Sequence, residues 1–129
     1  MSVTEEAATL LYVEDEFLTQ ESVAAALRDA GFSVVTADSG AHAVDILEAA
    51  AEPFRGLITD INLGDGPDGW EVARRARELV DGLPVVYVSG ASQHDWTSQG
   101  VPQSVMVPKP FAPIQIVVAV SGLLNTAAN

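Results

Sequence analysis

A chain of 129 residues suits one domain with one hydrophobic core, and a chain of that size needs no disulfide or structural metal to fold. It has no cysteine, which excludes thiol catalysis, thiolate metal sites and disulfide stapling. Six basic against eighteen acidic residues give a formal net charge of −12, a field that repels phosphate backbones and anionic membranes, so neither nucleic acid nor membrane is an expected partner.

The N-terminus, Met-Ser-Val-Thr-Glu-Glu, lacks the basic region and apolar run of a signal peptide, and no apolar run reaches the roughly 18 residues of a membrane span. A cytoplasmic location is expected. Residues 9–13 (Thr-Leu-Leu-Tyr-Val) form a short apolar strand, ended by the acidic cluster Glu14-Asp15-Glu16. Phe17, Leu18, Val23, Ala24 and Leu27 then recur near helical spacing, and Gly31 stands where a helix-ending glycine belongs. Residues 33–37 read as a second strand. A helix over 41–50 follows, with Ala43, Val44, Ile46 and Leu47 in its pattern, and Pro53 stops it. Residues 56–61 are a third strand, followed by a loop rich in Gly and Asp (Gly64 to Gly69). A helix over 70–80 turns Val72, Ala73, Ala76 and Leu79 inward and Arg74, Arg75, Arg77 and Glu78 outward; Asp81-Gly82 closes it. Residues 84–88 are a fourth strand and 104–107 a fifth, and a last helix starts at Pro113 and runs to about residue 124. The polar stretch 90–104 predicts only a short, poorly formed fourth helix.

Five apolar strands alternating with helices predict an α/β fold with a parallel sheet covered on both faces. In such sheets functional groups gather beyond the carboxyl ends of the strands. Glu14 and Asp15 follow the first strand, Asp60 ends the third, Ser89 the fourth, and Lys109-Pro110 follow the fifth. Converging carboxylates repel one another unless a cation sits among them, and hard oxygen donors suit magnesium. With an ammonium and a hydroxyl on the same rim, the set is suited to phosphoryl transfer onto a carboxylate, where charge neutralisation and in-line positioning do most of the work.

In this order and at these intervals, the acid pair, strand-ending aspartate, strand-ending serine and Lys109-Pro110-Phe111 resemble the receiver domain of two-component response regulators. The resemblance covers about residues 9–124. It implies a flavodoxin-like, doubly wound (βα)5 sheet of strand order 2-1-3-4-5, standing alone over 1–129 with no output domain. It further implies that Asp60 accepts a phosphoryl group from a histidine kinase or phosphotransfer protein. Lys109 and Ser89 would contact that group, and Mg2+ or Mn2+ would be held by Glu14, Asp15, Asp60 and the backbone carbonyl of Asn62. Such a protein is not an enzyme in the ordinary sense: it promotes its own phosphorylation and signals through phosphorylation-dependent binding of a downstream protein. The Lys109-Pro110 peptide is expected to be cis. Two other readings are an interaction module that no longer accepts phosphate, and a flavin or nucleotide binder of the same architecture. Against the latter, Val13-Glu14-Asp15-Glu16 would repel phosphate where a glycine-rich loop is needed.

Each residue also has a plainer reading. Glu16 suits a helix N-terminus by charge alone. Asp65, Asp68 and Asp81 look like turn and cap residues, Trp70 and Trp96 like packing or loop anchors, and neither His42 nor His94 has companions for a metal site. Lys109 stands out as the only lysine in the chain. The chain departs from the family at Met106, where receivers usually carry the aromatic switch that works with the residue at the Ser89 position. The last helix also lacks any charge from Pro110 to Asn129. It is either deeply packed or, with the fifth strand, a surface for a partner or a second copy, and Ile116, Val120 and Leu123 are candidates for that surface.

Overall fold

The computed structural model describes residues 8–91 and 95–127, the side chain of Ala127 excepted; Gln93 and His94 fall outside the described residues. Strands and helices alternate in chain order. They are β1 (Thr9–Val13), α1 (Phe17–Asp29), β2 (Ser33–Ala37), α2 (Gly40–Ala49), β3 (Gly56–Asp60), α3 (Gly69–Leu79), β4 (Val85–Ser89), α4 (Trp96–Gln99), β5 (Ser104–Pro108) and α5 (Pro113–Ala127). All four strand pairings are parallel and the order is β2-β1-β3-β4-β5, as the family resemblance implied.

The sheet explains the sequence pattern. Every residue of β3 and β4 is buried, since helices cover both faces, so these strands read as continuous apolar runs rather than alternations. The edge strand β2 is covered less completely and keeps exposed positions between buried ones. Leu11, Leu57, Val85 and Tyr87 point to one face, where Ala43 and Leu47 of α2 and Val72, Ala73 and Ala76 of α3 cover them. Leu10, Tyr12, Ile58 and Val86 point to the other, under Val23, Ala24 and Leu27 of α1 and Ile116, Val117 and Val120 of α5.

Helix ends follow local chemistry. The Glu16 carboxylate accepts from the Thr19 N–H and caps α1, which is the plainer role expected of it. Gly31, just past the C-cap of α1, has φ +99, a conformation glycine adopts without the Cβ penalty. Asp68 and Glu71 form a reciprocal capping box at the start of α3.

Several expectations need correction. Phe17 and Leu18 keep helical spacing but are 69% and 74% exposed, because the first turn of α1 stands over the rim of the sheet rather than on it. Leu79, expected inward, is exposed in the last turn of α3, past the point where that helix lies against the strands. In α5, Ile116 and Val120 are fully buried, whereas Ile114 and Val118 on the opposite side are exposed. The uncharged helix therefore both packs on the sheet and shows an apolar face to solvent. The fourth helix is as meagre as expected, four residues with none buried.

Candidate functional site

The carboxyl ends of β1, β3, β4 and β5 deliver the predicted residues to one rim. Glu14, Asp15 and Asp60 come together there, with one carboxylate oxygen of each within 4.8 Å of the others. Lys109 reaches across from the β5–α5 connection, and its Nζ donates to Asp60 Oδ2 at 2.9 Å. Asp60 is 4% exposed, so this charge-assisted bond lies in a setting where water screens it weakly. Lys109 and Pro110 are joined by a cis peptide, as expected. Asp15 and Asn62 are exposed and line the same cavity.

The two acids after β1 differ in setting. Asp15 faces solvent, while Glu14 is 1% exposed and held from two sides. Its Oε1 accepts from the Tyr12 hydroxyl at 3.3 Å and its Oε2 from the Glu16 N–H at 3.2 Å. Burial, reinforced by the negative charge of Asp60, pushes the Glu14 carboxyl up to about 7. Burial opposes the charge of Lys109, but the hydrogen bond and charge of Asp60, with Glu14 and Asp15 behind it, outweigh that and raise its pKa. Both shifts are upward, as befits a site with more negative charge than its one ammonium balances. A hard divalent cation fits that donor set: three converging carboxylates, open to solvent on one side.

Ser89 is placed differently from the other four. It is fully buried, its Oγ accepts from the Ala91 N–H at 3.1 Å, and it does not line the cavity. Its backbone carbonyl accepts from Lys109 N–H at 2.9 Å, which ties the ends of β4 and β5 together under the site. Met106 is partly buried and packs on the α2–α3 side of the sheet, beside Tyr87.

Beneath Asp60 the backbone is tightly packed. The Gly69 N–H donates to the Ile61 carbonyl at 2.8 Å, and a Cβ at Gly69 would lie 2.2 Å from the Asp60 carbonyl oxygen, so only glycine fits there. Two supporting residues escaped the sequence reading. Gln20 of α1 is buried and donates to the Glu14 carbonyl at 2.9 Å and to Asp38 Oδ1 at 3.0 Å, bracing the acidic turn. Tyr12 holds Glu14. A tyrosine inside an apolar strand run is a usable signal, since a buried hydroxyl needs a partner; a lone glutamine on a helix gives none.

The cavity over these groups measures about 880 Å³. Its floor is Glu14, Asp15, Asp60 and Lys109, and one wall is apolar, with Leu18 and Val23 of α1 facing Phe111 and Pro113. His42 stands apart at the start of α2, its N–H capped by Ser39 and its ring on the Asp38 N–H. Trp70 packs on Tyr87, and Trp96 anchors its loop by donating to Ser104 Oγ.

A family model described as the response regulator receiver domain matches residues 10–121. The chain belongs to the response regulator receiver family. A crystal structure of a response regulator receiver protein from Sinorhizobium medicae is 44% identical, superposes with a TM-score of 0.89, and covers 93% of this chain and 96% of its own. The transcriptional regulatory protein CusR of Escherichia coli is 31% identical over 121 residues, 92% of this receiver and 52% of CusR. The receiver thus spans about half the length of that curated relative. The receiver domain of a Pseudomonas aeruginosa sensor histidine kinase shares the fold at 22% identity, with a TM-score of 0.77 over 92% of this chain and 98% of its own; that structure carries a magnesium ion coordinated in its active-site cleft. Among the described residues of this receiver, no helix is long and apolar enough to cross a membrane.

Proposed function

We propose that this receiver accepts a phosphoryl group on Asp60 from a histidine kinase or phosphotransfer protein and signals by phosphorylation-dependent binding of another protein. The observation that carries this reading is the 2.9 Å contact between Lys109 Nζ and Asp60 Oδ2 inside a trio of carboxylates at the end of the central strand. An aspartate so placed is a nucleophile with a cation already beside the position an incoming phosphoryl oxygen would take.

In the proposed transfer, a carboxylate oxygen of Asp60 attacks phosphorus in line. The bond from phosphorus to the donor nitrogen breaks, and the departing imidazole keeps that electron pair and takes a proton from water. Lys109 moves its hydrogen bond from Asp60 to a phosphoryl oxygen. Glu14, Asp15, Asp60 and the Asn62 carbonyl would hold magnesium, which when bound neutralises phosphoryl charge. Ser89 offers its hydroxyl to a third oxygen after turning from its buried position. The apolar wall of the cavity suits a donor protein. It continues outward into exposed Phe17, Leu18 and Ile114, so a partner docked there buries apolar surface within reach of Asp60.

Treatment with a small phosphodonor and magnesium, read by intact mass and peptide mapping, tests the assignment. A single phosphoryl group on the peptide containing Asp60 is expected, with none in Asp60→Asn. Equal labelling of that variant would refute it.

A further inference from the structure

On the α2–α3 side of the sheet, a buried hydroxyl reaches from β4 to the end of the segment that carries α4. Tyr87 is fully buried in β4, and its hydroxyl oxygen accepts a hydrogen bond from the Val101 N–H at 3.0 Å. Its ring lies 4.6 Å from that of Trp70, tilted by 58°, and stands between Thr59 and Met106 across the sheet. Val101 ends the segment that starts at α4, a helix with no buried residue. The outer ties of that segment, Arg74 Nη1 to the Gln99 carbonyl and Trp96 Nε1 to Ser104 Oγ, are exposed; among the described residues, the tie to Tyr87 is buried.

Two residues further along β4, on the same face, stands Ser89. Its Oγ already holds the Ala91 N–H, the first stretch of the connection to α4. Gly100 packs so closely on Trp96 that a Cβ there would lie 2.4 Å from the indole, which makes the two ends of α4 one mechanical piece.

We propose that Tyr87 is a positioning residue that couples Ser89 to the segment from α4 to Val101: its hydroxyl holds Val101 while Asp60 is unmodified and releases it when Ser89 turns to a phosphoryl group. The proposal rests on the phosphoacceptor reading of Asp60. When Ser89 turns toward the acceptor, it draws residues 90 and 91 with it. Ser89 and Tyr87 share one strand and one face, so the shift is felt at the Tyr87 ring and, through it, at Val101. No apolar burial in α4 resists it, and the buried hydrogen bond does. Met106 beside the ring is unbranched and flexible, so it can yield the volume a shift of Tyr87 needs. A Tyr87 hydroxyl parted from Val101 must find another partner, since a buried unpaired group is costly, and that gives the device two states rather than a continuum.

Amide hydrogen exchange of the full chain, measured by NMR with and without magnesium, beryllium and fluoride as a stable phosphoryl mimic, tests this. Fluorine NMR of the same samples shows separately whether the mimic has bound at Asp60. With the mimic bound, Val101 N–H exchange is expected to accelerate about tenfold or more, the loss of one buried hydrogen bond. Tyr87→Phe should show the fast exchange at Val101 without the mimic, while still binding it. Mimic bound with Val101 exchange unchanged in wild type would overturn the proposal and leave the phosphoacceptor reading standing. Failure of the mimic to bind would overturn both. The wild-type comparison decides even if Tyr87→Phe does not fold.

Discussion

Glu14→Gln should stabilise the protein at alkaline pH although it removes a residue of the site. The Glu14 carboxyl is pushed from 4.5 to about 7 by burial and by Asp60. A folded-state pKa above the unfolded one means the folded protein prefers the neutral acid. The associated stability is complete below the unfolded value near 4.5 and is lost as pH rises through about 7. A rise of about 2.5 units, at about 1.4 kcal/mol each, makes ionised Glu14 cost about 3 kcal/mol above pH 8. Glutamine is neutral throughout; its oxygen can accept from the Glu16 N–H while its amide donates to the Tyr12 oxygen, so the variant escapes that cost. With urea m-values of about 2 kcal/mol/M, the gap corresponds to a midpoint about 1 to 1.5 M higher for the variant at pH 8, shrinking toward zero near pH 4.5. Urea unfolding in chelator at the two pH values, followed by tryptophan fluorescence, measures it, and comparing variant with wild type cancels other titrating groups. Magnesium at pH 8 should stabilise wild type more than the variant. A variant less stable than wild type at pH 8, or a gap of equal size at both pH values, would refute the reasoning.

Two further outcomes follow from the geometry. Lys109→Arg should still accept phosphate on Asp60, since charge is retained, but bind a phosphorylation-dependent partner at least several-fold more weakly, because a planar fork replaces a compact ammonium; phosphotransfer and pull-down with Lys109→Ala as reference check this, and equality of all three proteins would exclude a role for the lysine. Ile114→Lys together with Val118→Glu should leave urea stability within about 0.5 kcal/mol, as both sites are exposed. If the apolar rim receives the donor, transfer from a phosphohistidine protein should slow in that variant while labelling by a small phosphodonor stays unchanged.

The sheet was legible because its strands are buried on both faces and announce themselves as short apolar runs between glycine, proline and acidic breaks. The acidic rim was legible for the same reason, since strand ends locate it and bring Asp60, Asp15 and Lys109 together. Helical spacing could not reveal that the first turn of α1 overhangs the rim, because Phe17 and Leu18 fit the period of the core face whether or not a strand lies beneath them. In α5 an uncharged sequence hides which face is buried; only the turn from the β5–α5 connection sets Ile116 inward and Ile114 outward. Ser89 was placed correctly at its strand end, but its inward aim depends on the Ala91 N–H, a tertiary detail that spacing does not encode.

The contact between Gly69 and the Asp60 carbonyl allots mobility within the site. The main chain of Asp60 rests against the start of α3 with no room for one methyl group. On the proposed phosphoacceptor reading, so tight a centre leaves the movement to its surroundings, the side chains of Ser89 on β4 and Lys109 beyond β5. On that reading, the direction in which a signal leaves is decided on the side of the strand facing away from the chemistry. A change at position 69, whose residue offers no functional group at all, would act as though it had been made at Asp60.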